Sequence, residues 1–244
     1  MSNYKALDCV THQTLKVRNQ YGKEFGDNIN QVLVFPTEFE SLHREYPIFF
    51  RHSATAGYYA VCILGFDKSE NLFLDNTHWA ARYIPAMSMR GPFALQLITN
   101  TSDQHTMADP IVMVDIDDAR ISSEIGEPVF KTHGGYTPYF EQIMQAMQRI
   151  HVGSHSAGDF FAILTKFELI EPVEIAVNLG QMGTCSMANL FTISRERLAA
   201  LGAEELHELN GLGLLEHCFA VVSSAGNITH LVNIKMHSSH SPKL

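Results

Sequence analysis

The sequence predicts an α+β fold, with a mainly antiparallel sheet from the N-terminal half covered by helices that come mostly from the C-terminal half. Three observations carry that prediction. Before residue 128 the apolar residues fall in short β-branched or aromatic runs punctuated by Gly, Pro, Asn and Ser. Those runs come in pairs joined by polar loops, the pattern of hairpins and of antiparallel pairing. After Glu127-Pro128 the apolar residues recur at helical spacing.

Taken in order, QVLVF at 31–35 is an apolar strand that Pro36 stops, and Thr37 reads as the cap of a short helix through Glu38 to His43. Pro47 to Arg51 and Gly57 to Phe66 are the arms of a hairpin over the loop HSATA. Asn71 to Leu74 reads as a further short strand. Next comes THWAARYIPAMSMRGPFAL, residues 77–95. Proline is tolerated only in a helix's first turn, so the helix here is expected to start near Ile84. Trp79 to Tyr83 is then its lead-in, and Gly91-Pro92 its end. Phe93 to Thr99 and Ile111 to Ile116 form a second hairpin across NTSDQHTMAD.

Thr137-Pro138 starts a helix with Pro at the first helical position. Tyr139, Phe140, Ile143, Met144, Met147 and Ile150 share one of its faces. Gly153-Ser154 reads as a break, and Ser156 with Asp159 as a capping box that opens a second helix. That helix buries Phe160, Phe161, Ile163, Leu164 and Phe167, and Pro172 is its stop. Val173 to Leu179 and Ala188 to Ile193 flank GQMGTCSM as a third hairpin. Ser194 caps Arg195 to Leu201, and helices follow at Glu204 to Leu209, Leu214 to Ser223 and Ile228 to Met236. No linker or repeat divides the 244 residues, so one domain is the simplest organisation. A division near residue 128 is its alternative, and residues 1–28 and 237–244 read as peripheral.

The composition narrows the function class. A formal net charge of -9, with no basic run, opposes binding to nucleic acid or to anionic lipid. No apolar stretch approaches the roughly 20 residues that span a bilayer. The segment MSNYKALDCVTHQTLKVRNQ lacks the apolar core of a signal peptide, so a cytoplasmic protein is expected. The four cysteines are far apart and share no metal-type spacing, which reads as reduced thiols.

Several motifs offer chemistry. In IVMVDIDD, Asp115 and Asp117 alternate onto one face after an apolar strand, as carboxylates that hold a divalent ion do; strand-end acids also cap turns. His151 and His155 would share a face on a continuous helix and so suit a transition metal, which the expected break at Gly153 opposes. Neither GxSxG nor a phosphate-binding glycine motif occurs. The reading is therefore no metal and no cofactor. The ligand- or partner-binding candidates are Trp79, Arg82 and Tyr83: rings with a polar handle beside a guanidinium suit a binding groove as well as a core plug.

The collinear segments REYPIFF (44–50), GYYAVCILGF (57–66), ENLFLDNTHWAARYIPAMSMRGPFAL (70–95), GEPVF (126–130) and TISRERLAALGAEELHELNGLGLLEHCFAVVSSAGNITHL (192–231) resemble the SapC family of bacterial proteins. The resemblance spans about residues 30 to 235. It implies a link, by name, with the surface layer of Campylobacter-type bacteria. It also implies a setting alongside flavin-dependent halogenase-like proteins and TonB-dependent receptors. It brings no catalytic residues. The expectation is a non-enzymatic accessory protein that binds a protein or peptide in a surface-layer, transport or peptide-modification system. The alternatives are a divalent-metal enzyme built on Asp115 and Asp117, and a surface-layer component.

Overall fold

The computed structural model describes residues 3–96, 110–180 and 183–238. Parts of three expected features lie outside them: the second hairpin from residue 97 through its loop, two residues of GQMGTCSM, and the C-terminal tail. The fold is α+β, and among the described residues every strand pairing is antiparallel. In chain order the strands are β1 (Tyr4–Ala6), β2 (Lys16–Val17), β3 (Gln31–Val34), β4 (Ile48–Ser53), β5 (Gly57–Ile63), β6 (Leu74–Asp75), β7 (His78–Trp79), β8 (Phe93–Gln96), β9 (Ile111–Asp115), β10 (Ile121–Ser122), β11 (Glu127–Pro128), β12 (Ile170–Asn178) and β13 (Thr184–Ile193). The helices are α1 (Phe39–Leu42), α2 (Ala86–Met89), α3 (Pro138–Lys166), α4 (Arg195–Ala199), α5 (Ala203–Gly211), α6 (Leu215–Ser224) and α7 (Asn227–Ser238).

The main sheet runs β12-β13-β4-β5-β3, so the N-terminal hairpins are extended by one from the C-terminal half. Smaller sheets run β1-β9-β8 and β10-β2-β11, and β6 pairs with β7. The N-terminal segment supplies β1 and β2, and Val17 is buried.

The 29-residue α3, about 43 Å long at 1.5 Å per residue, is shared by two apolar clusters. Its first half sends Phe140, Ile143 and Met147 against Phe93, Val114 and Val129. Its second half sends Phe160, Phe161 and Leu164 into the cluster on the main sheet, where Phe39, Phe50, Val221 and Leu231 also lie.

Thr137 starts α3 as expected: its Oγ1 accepts from the Phe140 amide at 3.3 Å and donates to the Pro128 carbonyl at 2.6 Å. The expected break at Gly153-Ser154 is absent. Gly153 is buried because the chain at Phe35 and Thr37 lies directly on the helix there. Ser154, read as part of the break, and Ser156, read as a cap, instead hydrogen-bond back to the helix, donating to the His151 and Gly153 carbonyls. Thr37 is likewise not a cap. Its hydroxyl donates to the Arg149 carbonyl at 3.0 Å, and Pro36–Glu38 forms a 3-10 turn leading into α1.

Pro172 does not stop α3, which ends at Lys166 with Glu168 in a left-handed conformation, φ 52°. Pro172 lies inside β12, the outer strand of the sheet, where its missing N–H breaks no ladder bond on the solvent side. β13 is longer than expected and carries a bulge. Ala188 and Asn189 oppose the single Glu174, with Asn189 at φ 58°. Nη1 of Arg51 donates to both bulge carbonyls, at 2.7 and 3.1 Å. Two further differences lie near residue 80. His78–Trp79 is a strand rather than a helix lead-in, and the helix is the single turn α2.

Candidate functional site

Trp79, Arg82 and Tyr83 follow one another along a segment fixed at both ends. β7 pairs Trp79 with Leu74, and Pro85 opens α2. Between these, a chain of hydrogen bonds runs through the interior. Nε1 of Trp79 donates to the Tyr46 hydroxyl at 2.7 Å, and that hydroxyl donates to the Tyr83 carbonyl at 2.6 Å. The Tyr83 hydroxyl donates to Oε1 of Glu38 at 2.9 Å, and the same oxygen accepts the Ala86 amide at 2.7 Å. A carboxylate from a distant turn thus caps the first free N–H of α2, which is why the helix begins at Ala86.

Burial dominates the electrostatics of this chain. It pushes the Tyr46 and Tyr83 hydroxyls well above the usual phenol value, and the charge of Glu38 adds to the rise at Tyr83. It also raises the Glu38 carboxyl above its usual 4.5, against the pull of the Ala86 amide, the Tyr83 hydroxyl and the charge of Arg149. Glu38 is 1% exposed, and its Oε2 has no hydrogen-bond partner among the described residues. The Arg149 guanidinium sits 5.8 Å from the centre of the Tyr83 ring.

The three sequence candidates separate. Trp79 is 8% exposed, with the Tyr21 ring edge-on at 5.5 Å, and does not line the pocket that its two neighbours reach. Arg82 and Tyr83 line one of about 510 Å³ together with Ser41, Arg44, Glu45, Asn227 and His230. The Arg82 amide donates to Oε2 of Glu45 at 3.0 Å, which fixes the backbone and leaves the guanidinium exposed. The Asn227 side chain, opening α7, donates to the carbonyls of His43 and Tyr46 at 2.7 and 3.1 Å. The opposite wall is tied in by those bonds. Among the described residues Arg44 forms an ion pair with exposed Glu40 alone, at 3.3 Å, a contact worth little in water. The pocket therefore offers two guanidiniums against one carboxylate on a rigid floor.

The metal candidates do not line this pocket. Oδ1 of Asp115 accepts from the amides of Asn3 and Asp117, at 2.8 and 3.3 Å, so this carboxylate closes a turn. Asp117 is exposed. His151 and His155 do share a face of the unbroken α3, with ring centres 4.6 Å apart, and Nδ1 of His155 bonds the His151 carbonyl at 2.8 Å. Among the described residues no three His, Cys, Asp or Glu side chains converge as a metal site would require.

Two important groups were missed. Glu38 reads in sequence as an ordinary first-turn acid, and nothing local marks it as buried. Asp118 and Arg120 close the acidic run DIDDAR, 115–120. They form a two-pronged ion pair, Nε to Oδ1 at 2.9 Å and Nη2 to Oδ2 at 2.8 Å, with Arg120 buried and facing the Phe25 ring. The i, i+2 spacing of acid and arginine after a strand was the available signal. Among the described residues no helix is long and apolar enough to cross a membrane.

A family model described as SapC matches residues 7–231. Neither the curated proteins nor the solved structures contain a match to the chain.

Proposed function

The chain belongs to the SapC family, and from that premise we propose that it is a non-enzymatic accessory protein that binds an acidic segment of a protein or peptide partner. The pocket under Arg82 is the binding site. One observation carries the reading: in a chain of net charge -9, Arg44 and Arg82 face one open pocket, over a floor immobilised by the Tyr46–Tyr83–Glu38 hydrogen bonds. Guanidiniums carried on a fixed backbone recognise carboxylates through paired, planar N–H donors. Tyr83, Asn227 and His230 supply flat and hydrogen-bonding surface around them. Trp79 acts from behind, holding the Tyr83 backbone through Tyr46. The non-enzymatic part is supported by the employment of Asp115 in turn hydrogen bonds. On this reading the protein works in the cytoplasm, in service of a surface-layer, transport or peptide-modification system.

The test is affinity capture from native lysate with the wild-type chain and with Arg44→Glu/Arg82→Glu, both shown folded by thermal melts. A single stoichiometric partner retained by the first and lost by the second is expected. Equal recovery by both, or recovery of no stoichiometric partner, would sink the proposal.

A further inference from the structure

A second pocket, of about 400 Å³, lies on the other apolar cluster, between α2, α3, β1 and β8. Its volume falls in the range of small-molecule sites. Met87, Leu95, Met147 and Ile150 supply apolar walls, the two thioethers being adaptable in shape. Its polar side chains are Arg90 from just past α2, His151, Ser154 and His155 on α3, and the Tyr4 hydroxyl from β1.

The charge of the lining is what selects a ligand. The pocket under Arg82 carries Glu45, and a third, between α1 and α6, carries Glu40 and Glu216. The described lining of this one contains Arg90 and two histidines and no carboxylate, in a chain with 26 acids to 17 lysines and arginines. Nη1 of Arg90 donates to the Phe93 carbonyl at 2.7 Å, which holds the side chain in place without neutralising it. Arg90 forms no ion pair among the described residues. Asp118 feels its charge, but that carboxylate is already engaged by Arg120.

We propose that this pocket binds a small apolar monocarboxylate, with the acid group on Arg90 and the hydrocarbon among Met87, Leu95, Met147 and Ile150. A fixed cation at the rim of an apolar cavity favours such a molecule over its neutral analogue, because the carboxylate forms an ion pair with the guanidinium and the amide only a hydrogen bond. The imidazoles of His151 and His155 add hydrogen-bonding nitrogens to the lining.

The experiment is calorimetric titration of the full chain with octanoate and with octanamide, which match in shape and differ in charge. Saturable octanoate binding at one site is expected, with octanamide weaker by about tenfold, the scale of one hydrogen bond to a charged group. Arg90→Gln should weaken octanoate by a similar factor and leave octanamide unchanged, and Ala94→Phe, which fills the cavity, should abolish both. Because Arg90 also holds the Phe93 carbonyl, Ala94→Phe and the acid–amide comparison on the wild type decide the matter if Arg90→Gln does not fold. No saturable octanoate binding, equal affinity for the amide, or undiminished octanoate binding by either folded variant would overturn the proposal. Mutations in the Arg44–Arg82 pocket should leave all these titrations unchanged.

Discussion

The indole nitrogen of Trp79 donates to the hydroxyl of Tyr46 at 2.7 Å, and both side chains are buried. That bond makes the only tryptophan in the sequence a structural support of the Tyr83 backbone. Trp79→Ala should cost about 3 to 5 kcal/mol of unfolding free energy, the range for aromatic-to-alanine changes in cores. Trp79→Phe keeps most of the volume and loses the donor, and should cost about 1 to 3 kcal/mol. Urea melts followed by far-UV circular dichroism measure both; a loss under about 1 kcal/mol for Trp79→Ala would contradict the assignment.

Glu38 should leave a signature in the pH dependence of stability. Its folded carboxyl is raised above the usual 4.5. Between 4.5 and the raised value the folded state holds the proton that the unfolded chain has lost, so this residue's contribution to stability falls as pH rises through that window. Glu38→Gln removes the titration. The variant should gain on the wild type as pH rises from below 4.5, in denaturant melts run across a pH series. A constant difference would show that Glu38 titrates normally.

Gly153 and Gly158 sit five residues apart on α3 and should respond in opposite directions to alanine. A Cβ on Gly153 would lie 2.4 Å from the Phe35 Cβ and 2.6 Å from the Thr37 Oγ1, whereas one on Gly158 meets nothing within 4 Å. Gly158→Ala should stabilise by about 0.5 to 1 kcal/mol through helix propensity. Gly153→Ala should destabilise by about 1 to 3 kcal/mol through overpacking, despite the same propensity gain. Parallel thermal melts decide it, and a stabilised Gly153→Ala would mean the turn at Pro36–Glu38 does not rest on α3.

Removing Asp118 strands the buried Arg120 guanidinium. Asp118→Ala should cost about 3 kcal/mol near neutral pH, the low end for a broken buried pair, because the Asp118 carboxylate keeps some contact with water. Burial alone would raise the Asp118 carboxyl, but the hydrogen bonds and charge of Arg120 hold it below its usual 3.8. Its stabilisation is therefore present above 3.8 and lost as pH falls through the depressed folded value. The gap between wild type and variant should close in acid. Guanidinium melts at neutral and acidic pH would show it.

Arg82 is exposed, and its tether to Glu45 runs through the backbone amide. Arg82→Ala should therefore change stability by less than about 0.5 kcal/mol while weakening partner capture. A large loss of stability would mean that the guanidinium serves the fold, not the pocket.

The α+β class, the hairpin of β4 and β5, the Thr137-Pro138 start of α3 and the family were all legible in the sequence by itself. Each rests on local chemistry: β-branched runs, proline's fixed φ, a hydroxyl three residues from the amide it caps, a collinear set of segments. Tertiary structure alone decided the rest. Gly153 and Ser154 carry the local marks of a helix end, but Phe35 and Thr37 lie on that turn and burial there outweighs propensity. Pro172 carries the mark of a stop and lies in an edge strand that has no partner to miss its N–H. The split of Trp79 from Arg82 and Tyr83 was equally hidden. Which of three neighbouring side chains faces a pocket is set by Tyr46 and Glu38, which are 33 and 45 residues away from the groups they bind. Contacts of that sequence separation leave no periodicity in a single chain, so only the assembled core could reveal them.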